Sequence, residues 1–70
     1  MPTAAQKKRY HATGKKLHGD AWDDIRPKQV EAITKRRDGG EVVTSSNDLT
    51  RAEMQYLIDG MADKLGEAGK

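Results

Sequence analysis

Two histidines (His11, His18), three aspartates (Asp20, Asp23, Asp24) and the pair Ser45 and Ser46 are the side chains best suited to metal, acid–base or nucleophilic chemistry. His11 and His18 are seven residues apart. On a helix that puts them on one side but about 10 Å from each other, too far to share one zinc ion. An i, i+4 histidine pair with a third ligand would make a metal site, and the sequence has neither. The aspartates around Trp22 are accounted for by helix capping and solubility. Ser45 and Ser46 have no His or Lys base near them in sequence, and serines ahead of a helix usually form caps and turns. There is no phosphate-binding glycine loop, dinucleotide fingerprint or nucleophile elbow. The chain therefore reads as a protein that is not an enzyme and needs no metal, cofactor or small-molecule substrate.

Charge is the stronger signal. The formal net charge is only +2, but residues 1–37 carry ten Lys or Arg against four acids, and residues 38–70 carry three against seven. The first part is thus +6 and the second −4. Such asymmetry is an electrostatic footprint for a polyanion, set against the plainer reading of solvated helix faces. The residues concerned are Lys7, Lys8, Arg9, Lys15 and Lys16, followed by Lys35, Arg36 and Arg37. The last three also sit where a helix dipole alone would favour cations.

The elements that position these residues are legible from caps and periodicity. Seventy residues, 34% apolar and without Phe, allow one small domain with a thin core. Cysteine is absent, so no disulfide supports it. No run approaches the roughly 18 apolar residues of a membrane span, and no apolar stretch follows the basic residues near the start, so the chain reads as soluble and cytoplasmic. Thr50 and Glu53 form a capping box, with Leu49 and Met54 as a hydrophobic staple. Met54, Leu57, Ile58, Met61 and Leu65 then make one helical stripe, predicting a helix from about Arg51 to Leu65. A first helix is expected from Thr3 or Ala4 to His18, with Gln6, Tyr10, Thr13 and Leu17 inward and Gly19 as its stop. A middle helix is expected with Asp23 as N-cap, Pro27 in its first turn, and Trp22, Val30 and Ile33 facing the core, ending before Gly39 and Gly40. Residues 41–48 form a longer connection, an irregular loop or a short extended piece, whose Val42 and Val43 carry the only β-type signal and can pack as a lid. The fold class is all-α, a three-helix domain ordered over residues 4–65 with a frayed tail at 66–70. Trp22 is weighed as core against a base-stacking platform, with core favoured because large apolar side chains are scarce.

The segments LHGDAWDDIRPKQVEAITK (residues 17–35) and TSSNDLTRAEMQYLIDGM (residues 44–61) carry a GD-x-W-D turn and an SS-x-D-L-T-x-x-E lead into the last helix. Together they resemble a small helical domain recurrent in phages, as in Mu-type GemA regulatory proteins and domains appended to single-strand annealing proteins. The resemblance spans about residues 6–65. It implies a DNA-linked accessory role in recombination, replication or transcription control. The longer family members have a second domain for which this chain has no room.

Two expectations follow. In the first, the first helix and the end of the second offer their basic side chains to the phosphates of single- or double-stranded DNA, giving salt-sensitive binding with little sequence preference. In the second, the acidic last helix docks on a phage or host protein through Tyr56, Asp59 and Asp63, which lie away from its apolar stripe.

Overall fold

Thr3 and Gln6 start the first helix by a reciprocal cap: the Gln6 N–H donates to Thr3 Oγ1 at 3.0 Å and the Thr3 N–H to Gln6 Oε1 at 3.2 Å. In the computed structural model, which describes residues 2–66, this helix, α1, runs Ala4–His18. Gly19 ends it with φ 59°, a backbone setting that glycine adopts without steric cost. A 3-10 turn, Gly19–Ala21, leads directly into α2, Trp22–Thr34. A second 3-10 turn, Ser46–Asp48, precedes α3, Arg51–Lys64. All regular structure among the described residues is helical, so the all-α expectation holds. Of the tail expected to fray, residues 67–70 lie outside the described residues.

The third helix begins as predicted. The Glu53 N–H donates to Thr50 Oγ1 at 3.1 Å and the Thr50 N–H to Glu53 Oε1 at 2.8 Å. Leu49 and Met54, on either side of that cap, are both buried. The second helix differs from its sequence reading. It begins at Trp22, ahead of the expected Asp23 cap, and no side chain caps it. The preceding 3-10 turn takes over that task, the Trp22 N–H donating to the Gly19 carbonyl. Pro27 consequently stands beyond the first turn, where it withholds an N–H from the Asp23 carbonyl.

That helix also stops at Thr34, short of the glycines. The Thr34 hydroxyl turns back to the Val30 carbonyl at 2.8 Å and accepts from the Val43 N–H at 3.1 Å. One buried hydroxyl thus ends the helix and pins the following loop against it. Val43 is half-buried against the core, whereas Val42 is exposed, so only one of the two valines serves as a lid.

The core unites Tyr10, Trp22, Val30, Ile33, Leu49, Met54, Ile58 and Met61. Each buried aliphatic contributes about 1.5–3 kcal/mol relative to exposure. Trp22 is 1% exposed, which settles its role as core and excludes it as a stacking platform. The first helix makes its largest interface with α3, and α2 and α3 approach each other less closely than either approaches α1. Gln6 ties the starts of α1 and α3 together by donating from Nε2 to the Arg51 carbonyl at 3.2 Å and to Gln55 Oε1 at 3.3 Å.

Candidate nucleic-acid interface

The first helix contains five Lys or Arg and no Asp or Glu. Its core side is set by Tyr10, Thr13 and Gly14, all buried, so residues half a turn away must face solvent. Lys8, Arg9, Lys15 and Lys16 are exposed there, and Lys7 is half-buried at the margin. Between these cations stand only Ala5 and Ala12, both exposed, whose small side chains leave the face open to a flat polyanion.

The cations expected at the end of the second helix lie in the turn just after α2 and are placed differently. Lys35 forms a 3.2 Å ion pair with Glu31, one turn back. Arg36 lies over the Tyr56 ring, 5.3 Å from its centroid, and so faces α3 and not α1. Arg37, expected among the phosphate contacts, is committed to the fold. Its Nε donates to Glu53 Oε2 at 2.8 Å, and its Nη2 to Glu53 Oε1 at 2.7 Å and to the Asp48 carbonyl at 2.9 Å. Only 19% of its side chain is exposed, because the fork closes on a carboxylate of α3. The bonds from Arg37, joined by those from Thr50, hold the Glu53 carboxyl down at about 2. Arg37 therefore ties the turn after α2 to the start of α3 and is held by the fold.

Tyr56, Asp59 and Asp63 do come together. They line a cleft of about 700 Å³ between α2 and α3, whose floor includes Ile33, Leu57 and Met61. Tyr56 is 59% exposed, as the helical wheel predicted, and Asp59 accepts from Gln55 Nε2 at 2.9 Å.

Both histidines lie against Trp22. The Trp22 Nε1–H donates to His11 Nδ1 in a long 3.4 Å bond, and the His18 ring stacks parallel to the indole with centroids 5.9 Å apart. Tyr10 meets the indole edge-on at 5.0 Å and donates its hydroxyl to Gln29 Oε1 at 3.1 Å. Burial pushes the Tyr10 phenol up to about 12. Burial, together with the nearby Arg26 and Lys15, lowers the His11 value, with Asp23 opposing. No group of three His, Asp or Glu side chains among the described residues is arranged to hold a metal ion. Nor is any helix there long and apolar enough to cross a membrane.

Two features of the site escaped the sequence reading. Arg37 finds its partner sixteen residues away, and nothing local marks Glu53 as more than a cap. His11 and Arg26, with residues 44–47, border a shared cleft that brings together three separate parts of the chain. The basic character of α1 and the outward position of Tyr56 were readable directly. No protein-family model, curated protein or solved structure matches the chain.

Proposed function

We propose that this three-helix domain is a cytoplasmic, non-catalytic nucleic-acid-binding module, an accessory to phage-type recombination or regulation. The observation that carries the reading is the outer face of α1, where Lys8, Arg9, Lys15 and Lys16 are exposed on a helix without a single acid. Side chains of this kind neutralise backbone phosphates and release condensed counterions. They position a duplex or single strand without reading its bases, so the affinity is modest and largely independent of sequence. The phage setting rests on the GD-x-W-D and SS-x-D-L-T-x-x-E segments. Lys35 and Arg36, in the turn after α2, add further positive charge to the domain.

The test is charge reversal. Lys15→Glu combined with Lys16→Glu changes solvent-facing side chains, so helicity by circular dichroism stays at the wild-type level while binding to labelled oligonucleotides is lost. Wild-type affinity in the double variant removes the reading.

The cleft between α2 and α3 favours a second reading, a protein-docking module. Its apolar floor suits an apolar partner segment, with Tyr56 at hand for the contact and a rim on which Asp59 and Asp63 are balanced by Arg36 and Lys64. Binding through that cleft resists salt, whereas phosphate contacts do not.

A further inference from the structure

A second cleft, of about 310 Å³, opens where the middle of α1 and the second turn of α2 meet the loop before α3. It is lined by His11, Arg26, Pro27 and residues 44–47. From this juxtaposition we infer a phosphate-binding subsite in which Arg26 and His11, with the hydroxyls of Thr44 and Ser45, hold one phosphate group. The inference rests on the nucleic-acid reading for the source of that phosphate, and places one specific contact beside the α1 face.

The donor set is imposed by the surrounding fold. His11 Nδ1 accepts from the Trp22 indole, so in the neutral ring the proton resides on Nε2, which becomes a donor. Among the described residues no acceptor serves that N–H. Arg26 is engaged through a single bond, Nη1 to Asp23 Oδ1 at 3.3 Å, with Asp23 itself 82% exposed. The remaining N–H donors of its planar fork suit two oxygens of one phosphate. Ser45 Oγ accepts from the Asn47 N–H at 3.3 Å, which leaves the hydroxyl proton to be donated outward.

Charge agrees with this assignment. Lys15, one turn after His11 on α1, and Arg26 both act on the His11 ring, and Asp23 is the carboxylate opposing them. Lys7 and Lys8 stand one turn before His11 on the same side of α1. A backbone seated with one phosphate in the cleft therefore meets further cations on either side. A planar carboxylate would be satisfied by the Arg26 fork alone, whereas a cleft lined by donor-bearing side chains from three separate parts of the chain suits the several oxygens of a phosphate.

The test begins with inorganic phosphate titrated into the 15N-labelled protein, wild type and Arg26→Gln. Saturable shifts at residues 44–47 and the His11 ring, lost in Arg26→Gln and partly kept in Arg26→Lys, support the subsite. Absence of saturation up to tens of millimolar, or equal shifts in Arg26→Gln, overturns it. The second arm measures oligonucleotide affinity. Arg26→Gln should weaken it about five- to tenfold and lower the salt slope by about one. If phosphate shifts the cleft resonances but oligonucleotides do not bind, the subsite stands for free or terminal phosphate and the nucleic-acid reading falls. If oligonucleotides bind wild type and Arg26→Gln equally, and phosphate shifts nothing, the α1 face stands and the subsite falls. Arg26 holds only a partly exposed pair with Asp23, so the variant keeps its fold, which circular dichroism verifies.

Discussion

The Trp22 indole lies directly over the backbone of Gly14: a Cβ added to Gly14 would stand 2.3 Å from Trp22 Cη2 and 2.4 Å from two further ring carbons. A glycine in the middle of a helix costs about 1 kcal/mol relative to alanine. Here that cost makes a notch in α1 that lets the largest side chain of the chain reach 1% exposure. The same notch brings the indole against His11 and His18, and so connects the core to the cleft that His11 borders.

Gly14→Ala should therefore destabilise the protein in spite of its better helix propensity. Overpacking a rigid, buried ring costs up to about 3 kcal/mol, from which about 1 kcal/mol of propensity is recovered. The expected outcome is a net loss of about 2 kcal/mol and a midpoint lowered by roughly 10 °C in thermal circular dichroism. A red-shifted Trp22 emission should accompany it. A variant more stable than wild type would show that the indole does not occupy the notch.

Stability should fall in two stages as the solution is acidified. His11 is held below its ordinary 6.5 in the folded protein, so between that value and the folded one the unfolded chain binds more protons. Its contribution is complete above about 6.5 and is lost as pH drops, because burial and then the nearby Arg26 and Lys15 disfavour the charged ring, and protonating Nδ1 also breaks the bond from Trp22. Glu53 follows: its share is complete above its ordinary 4.5 and disappears as pH approaches about 2. His11→Asn offers an oxygen to the indole N–H without titrating. Its midpoint should stay level between pH 7 and 5 while the wild type declines; parallel curves would contradict the assignment.

Glu53 caps α3 and pairs with Arg37 at once, so its loss should be felt in two places. Thr50→Ala removes only the cap, at about 1 kcal/mol. Glu53→Gln should lower the thermal midpoint further than Thr50→Ala does, since it also takes the buried carboxylate from Arg37 and leaves that guanidinium only the exposed Glu41 carboxylate at 3.4 Å. It should also abolish the decline below pH 4.5. Equal midpoints for the two variants would mean that the Arg37 pair adds nothing.

What could be read from the sequence was what neighbours in the chain decide. The Thr50 and Glu53 cap, the Met54 to Met61 stripe and the acid-free run of α1 are local patterns, and all are present in the structure. The start of α2 was misplaced because Asp23 looks like a cap; the 3-10 turn that replaces it depends on Gly19 and the seating of Trp22. The candidate site divided along the same line. The α1 cations were visible as charge, but the withdrawal of Arg37 depends on Glu53, sixteen residues on, and the pairing of His11 with Arg26 depends on how α2 crosses α1. Contacts of that range leave no periodic trace.

The most direct measurement of the central claim is the anisotropy of labelled single- and double-stranded oligonucleotides titrated with the protein at about 50 and 200 mM salt. With roughly four phosphates neutralised by the α1 face, affinity for duplex should fall about a hundredfold between the two conditions. Binding that is unchanged across this range, or absent at the lower salt, would contradict the claim that α1 is a phosphate-contacting surface.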